Sequence, residues 1–210
     1  MNIRSISRRT VLRMLATGGT LGALTWRPVN AESPTAARCD TDGTPLQFVP
    51  KVAPDADPLN GELDKYPKCP YCGMDRKQWH HSRHLVVYED NLVDGTCSLH
   101  CLALSLALNI DRGPKTIFAA DFGASDQLRP LIEVETARYL IGSKLKGTMT
   151  AVSKMAFSSE AAAAKAQAEH GGEIGDFDKA LRAAYSSLAD DTLRIRKMRA
   201  ERRARMKQPS

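Results

Sequence analysis

The chain has 210 residues, 42% of them hydrophobic and 6% aromatic, with a formal charge of +6. That is the composition of an ordinary globular protein with an aliphatic core, with room for one domain or two small ones. The charge sits at the two ends. The first 31 residues hold five arginines and no acid, and from Thr192 onward eight Lys or Arg face one Glu, so residues 32–191 carry −6. With no basic patch on the body and no aromatics among the tail cations, a nucleic-acid partner is not expected.

Residues 1–31 form an expected twin-arginine signal peptide: Arg8-Arg9 precedes a mildly apolar run from Thr10 to Trp26, and Val29-Asn30-Ala31 supplies small residues for cleavage. The run is too short for a membrane span and Arg13 interrupts it, so no transmembrane anchor is expected in the mature chain and the location is expected to be periplasmic. Residues 32–63 contain five prolines among small polar residues and form an expected linker or extended arm. Cys39 lies alone there, as a free or intermolecularly paired thiol.

Residues 64–125 are expected to form a first β-β-α-β unit. His84 to Tyr88 and Leu92 to Thr96 make a strand pair around Glu89-Asp90-Asn91. Thr96 or Ser98 caps an apolar helix ending at Arg112-Gly113-Pro114, and Lys115 to Ala120 follows as a third strand. The order returns in residues 126–191. Strands at 134–141 and 148–157 flank a turn, Ser158 caps an alanine-rich helix to His170, and Glu173 to Asp176 is a short strand. Phe177, Leu181, Ala184 and Leu188 then fall at helical spacing on a helix expected to pack on the second unit, and the basic tail, residues 192–210, is expected to continue it as a solvated or frayed helix, the alternative being a binding surface for an acidic partner or anionic lipid. The fold class is thus α+β, two consecutive β-β-α-β units plus a C-terminal helix.

The chemistry is concentrated in sulfur. Cys69-Pro70-Tyr71-Cys72-Gly73-Met74 places two thiols on a tight turn with a thioether beside them, and Cys97 and Cys101 sit at the mouth of the apolar helix, where free amides favour thiolate. Three chemistries fit two converging thiol pairs. They are structural Zn²⁺ in a Cys₄ site, disulfide exchange, and a soft monovalent metal, above all Cu(I). Met74 suits Cu(I) and has little use in the other two, although a methionine beside a cysteine also serves as core filler. Disulfide exchange is the weakest fit, because the pair precedes a strand pair instead of opening a helix. His80, His81 and His84 follow in a polar stretch; one of them could complete a copper site, but histidines in such a stretch are expected to face solvent. His100, the second residue of its helix, is expected to point away from the thiols, and His170 suits a helix C-terminus. No nucleophile with an adjacent base and no phosphate-cradling loop is evident, so an enzyme is not expected.

The CPYCGM motif, the stretch Asp94-Gly95-Thr96-Cys97-Ser98-Leu99-His100-Cys101, and the downstream Gly147-Thr148-Met149 and Ala168-Glu169-His170-Gly171-Gly172 resemble the nitrous oxide reductase accessory proteins, the NosL-like copper proteins. The resemblance implies a periplasmic Cu(I)-binding metallochaperone that serves denitrification by delivering copper to nitrous oxide reductase or a related copper enzyme, with two β-β-α-β units similar in topology to part of the organomercury lyases. It carries copper ligands onto Cys72, Met74 and Met149, with Met155 competing for the last place. The sequence departs from better-known members in lacking a convincing lipidation site and in having Cys97 and Cys101. With Cys69, these make a four-thiol Zn²⁺ site the alternative.

Overall fold

The computed structural model describes residues 53–110 and 112–207. The expected signal peptide, most of the arm and Cys39 lie outside the described residues. A four-residue helix, α1 (Glu62–Lys65), precedes the motif, and a 3-10 turn (His80–Ser82) follows it.

The first sheet contains β1 (His84–Tyr88), β2 (Val93–Thr96), β3 (Pro114–Ala120) and β4 (Leu131–Glu133), with α2 (Leu99–Leu108) between β2 and β3. Its order is β2-β1-β3-β4, antiparallel throughout. β1 is buried on both faces. Leu85 and Val87 pack with Tyr66, Val93, Phe118 and Leu131, while Val86 and Tyr88 turn to Leu99, Leu102 and Ala103 of α2. A central strand with two covered faces has no reason to alternate polar and apolar residues, and His84-Leu85-Val86-Val87-Tyr88 does not.

The second sheet contains β5 (Arg138–Ile141), β6 (Lys154–Phe157) and β7 (Glu173–Gly175), in the order β6-β5-β7, with α3 (Glu160–His170) between β6 and β7. In both sheets the first strand of the unit lies in the middle, its hairpin partner on one side and the post-helix strand on the other. The β-β-α-β repeat is therefore one of topology as well as of element order. Phe122 N donates to Ala156 O at 2.7 Å beside a parallel bridge from Asp121 to Ala156, which joins the sheets.

Several local expectations are corrected. β4 was not expected, and it extends the first sheet although it falls beyond residue 126. The expected strand at 134–141 starts only at Arg138, and residues 148–153 form a loop instead of the first half of a strand. Polar Thr148, Thr150 and Ser153 are buried there, and their hydroxyls bond to other side chains and to local carbonyls instead of lying on a ladder. The α3 cap is Ser159, whose side chain accepts from Ala162 N at 3.2 Å, and not Ser158.

The C-terminal helix α4 (Phe177–Met206) is continuous for 30 residues. It packs on α2 of the first unit as well as on the second unit. Ala180 and Ala184 are buried against the α2 core, and Tyr185 Oη donates to Ala103 O at 3.1 Å. Alanines at that crossing let the helix backbones approach closely. Among the described residues, no helix is long and apolar enough to cross a membrane.

Candidate metal centre

Residues 68–75 form a knuckle. Lys68 and Asp75 bridge antiparallel, Cys69 N donates to Met74 O at 2.9 Å, and Gly73 N donates to Cys69 O at 2.9 Å. Gly73 has φ of 76°, a conformation that a side chain would oppose, which explains the glycine directly after Cys72. The Tyr71 hydroxyl donates to the Asp94 carboxylate, which also accepts from Ser105 Oγ at 2.6 Å, tying the knuckle to β2 and α2.

The second pair stands opposite. Cys97 lies between β2 and α2, and Cys101 is the third residue of α2. The four sulfurs lie within 4.8 Å of one another, with Cys72 and Cys97 at 3.4 Å and Cys97 and Cys101 at 3.7 Å. Cys69, Cys97 and Cys101 are buried, whereas Cys72 is half-buried, so the cluster opens on the Cys72 side. Met74, Met149, Tyr71 and Trp79 pack around it. All six sulfur residues singled out in the sequence are thus brought together. Met155 is not among them: it is buried with Leu140, Phe157 and Ala163 under α3.

The thiols share protons. Hydrogen bonds with Cys101, Cys72 and Cys97 hold the Cys69 thiol below its usual range, and Cys72 is also held low, chiefly by Cys101. Cys101 is pushed up by Cys69, Cys72 and Cys97. For Cys97 the bond with Cys101 lowers the value, but Cys69, Cys72 and burial together raise it. Negative charge concentrated on part of such a cluster is what a bound cation neutralises, with release of the remaining protons.

Three residues that the sequence reading did not single out hold the halves together. Arg76 is fully buried. It pairs with Glu62 Oε2 at 2.8 Å and donates to Tyr66 O at 2.6 Å, His84 O at 3.2 Å and Thr96 O at 3.3 Å. It joins the segment before the knuckle to the end of β2, one residue before Cys97. Gly95 leaves space for it, since a Cβ there would lie 2.7 Å from the Arg76 guanidinium and from Tyr66. Ser82 donates to Cys97 O at 2.9 Å and lies 2.7 Å from the Thr148 hydroxyl, which anchors the loop bearing Met149. On the other side of that loop, Ala151 N donates to Asp191 Oδ1 of α4 at 2.8 Å. Between these anchors Met149 has φ of 62°, unfavourable for a side chain of its size and maintained by the contacts on either side. No local signature in the sequence marks these partners; only Gly95, next to a polar stretch, hints at a close approach.

The histidines stay apart from the thiols. His100 points toward Asp191, with Nδ1 3.6 Å from Oδ2. His80 Nδ1 accepts from Arg129 N at 3.1 Å, and His81 lies edge-on to Phe122. His84 was expected to face solvent. Instead it is buried, donating from Nδ1 to Ser82 O at 3.0 Å and accepting at Nε2 from Tyr139 Oη at 3.1 Å, and burial lowers its pKa to about 4.

The NosL family model matches residues 60–184. The chain belongs to the NosL family. The match spans both β-β-α-β units of the NosL fold described above and ends within α4. The crystal structure of the copper chaperone NosL from Shewanella denitrificans is similar to this chain at 23% identity and a TM-score of 0.45, over 53% of this chain and 87% of that one. No curated protein matches the chain.

Proposed function

We propose that this protein is a non-catalytic Cu(I) metallochaperone, as its family resemblance implies, in which Cu(I) is cargo held by Cys72, Met74 and Met149 with Cys69, Cys97 and Cys101 in reach. The observation that carries the reading is the packing of two half-buried methionines, Met74 and Met149, one from each unit, against the thiol cluster. Thioether and thiolate together select Cu(I) over harder ions. A half-exposed Cys72 gives an incoming ligand access from one side, so the metal can leave by stepwise exchange of sulfur ligands. Arg76, Ser82 and Asp191 hold the donors in place without contacting the ion.

The acceptor is proposed to be nitrous oxide reductase or a related periplasmic copper enzyme. The twin-arginine leader supports export to that compartment; of the expected linker at 32–63, residues from Asp55 onward belong to the fold instead, since Asp55 N donates to Asn91 O at 2.8 Å and Glu62 is buried against Arg76 and Arg83. The test is anaerobic titration of Cu(I) against a competing chelator. Affinity should fall by at least a hundredfold in Cys72→Ser/Met74→Leu, and retained affinity in that variant would overturn the assignment.

One observation favours a second reading. Sulfur separations of 3.4 and 3.7 Å are close to the roughly 3.8 Å edge of a tetrahedron with Zn–S of about 2.3 Å. A structural Zn²⁺ site predicts one stoichiometric zinc in protein isolated from its own compartment, with unfolding of the first unit on removal. The copper reading predicts a metal-free protein that stays folded.

A further inference from the structure

We infer that the last three turns of α4, residues 196–207, are a docking surface for an acidic protein face, placed so that the docked partner meets the metal centre at Cys72. The inference rests on the reading that the metal is handed to another protein, and it adds what recognises that protein. In these twelve residues seven Lys or Arg accompany a single acid, Glu201, and every one of the twelve is exposed. Among the described residues, ion pairing along α4 ends at Arg194, which faces Asp191 Oδ1 at 3.4 Å. Beyond it, Arg199 with Arg203 and Arg203 with Lys207 are like charges four residues apart, a spacing that weakens a helix standing alone and is relieved by opposing carboxylates.

Placement gives the cationic surface its use. Arg199 Nη2 donates to Cys72 O at 3.3 Å across 127 residues of chain, so the arm lies beside the open side of the cluster. A carboxylate on the partner would compete for that guanidinium. A carboxylate offers the guanidinium a full opposite charge and two parallel hydrogen bonds where the Cys72 carbonyl offers one neutral acceptor, so docking would draw Arg199 from that carbonyl and free the knuckle as the partner arrives. The surface is not built to insert into a lipid bilayer, and its contact with the Cys72 carbonyl places it where a protein receiving the metal would dock. Its apolar side chains are Met198 and Met206, with two alanines, and it lacks the Trp, Phe or Leu face by which interfacial helices insert.

The probes are two fluorescent peptides with the same Met- and Cys-containing Cu(I)-binding core, one flanked by glutamates and the other by glutamines. Anisotropy with the reduced, metal-free, full-length protein should show at least tenfold tighter binding of the glutamate peptide at 50 mM salt. The preference should fall below twofold at 500 mM salt, and also in Arg202→Glu/Arg203→Glu/Arg205→Glu, with circular dichroism and Cu(I) affinity unchanged in that variant. Equal binding of the two peptides, or a preference that survives the charge reversal, overturns the inference. Binding to phosphatidylglycerol vesicles without binding to the peptide overturns it in favour of lipid, and self-association abolished by the charge reversal does so in favour of a second copy. If the unaltered protein takes up no Cu(I), the metal reading fails while the anisotropy still decides the docking surface.

Discussion

Arg76→Met tests whether the metal centre depends on a guanidinium that touches no sulfur. Arg76 is fully buried, pairs with Glu62 at 2.8 Å and supplies hydrogen bonds to carbonyls of the segment before the knuckle and of β1 and β2. Methionine matches the aliphatic stem but not the charge. Removing one partner of a buried ion pair costs about 3–5 kcal/mol, because the other charge is left without compensation. Glu62 keeps Arg83 Nε at 2.6 Å, which places this case near the lower bound, about 3 kcal/mol. Against a typical total of about 5–15 kcal/mol the variant should still fold. Urea unfolding of the reduced, metal-free protein, followed by circular dichroism, should show that loss, and Cu(I) affinity should fall about tenfold as the thiol pairs lose their common anchor. Glu62→Gln should cost less in the Arg76→Met background than in the unaltered protein, with a coupling of about 1–3 kcal/mol. A loss below about 1 kcal/mol, or a coupling near zero, would refute the argument that this pair holds the two halves of the site together.

Met149→Asn should leave metal-free stability within about 0.5 kcal/mol, since asparagine tolerates positive φ, while lowering Cu(I) affinity at least tenfold; Met155→Leu should leave the affinity unchanged. Chelator competition on both variants distinguishes the two methionines. Tyr71→Phe removes a donor to the buried Asp94 carboxylate and should cost about 1.5–3 kcal/mol in the same urea assay. His84 predicts a pH dependence. Its folded pKa of about 4 lies below the ordinary 6.5, so the unfolded chain takes up the proton first as pH falls. This contribution to stability is therefore fully present above 6.5 and is lost between 6.5 and 4, on the order of 2–3 kcal/mol. His84→Gln should flatten the urea midpoint across that window, and an unchanged slope would assign the dependence to other groups.

Much of the first unit was legible because its signals are local. Residues 84–88 and 93–96 have the β-branched and apolar content of a hairpin, and Ser98 starts an apolar helix, which ends at Leu108, short of the expected stop at Arg112-Gly113-Pro114. The second unit was less so. β4 is three residues long, and only pairing with β3 makes it a strand. Residues 148–153 have strand-forming types, two Thr and a Val, but the bonds with Ser82 and Asp191 hold them as a loop. The last three turns of α4 were legible as a solvated continuation of the helix, although no apolar stripe marks them.

Five of the six sulfur residues were identifiable in the sequence from residue type and spacing, and Met149 only from what the family resemblance implies. Cys69, Cys72 and Met74 share one tight turn, and Cys97 and Cys101 lie four residues apart at the entry to one helix. Distance along the chain says nothing of which pair faces which. Only the tertiary structure brought the two thiol pairs within 4.8 Å, turned Met149 and not Met155 toward them, and buried His84 between the units. The reason is physical: those choices rest on Arg76, Ser82, Thr148 and Asp191, whose hydrogen bonds close loops of many residues. Such contacts leave no periodicity or motif in the sequence, because each partner is an ordinary polar residue until the fold supplies the other.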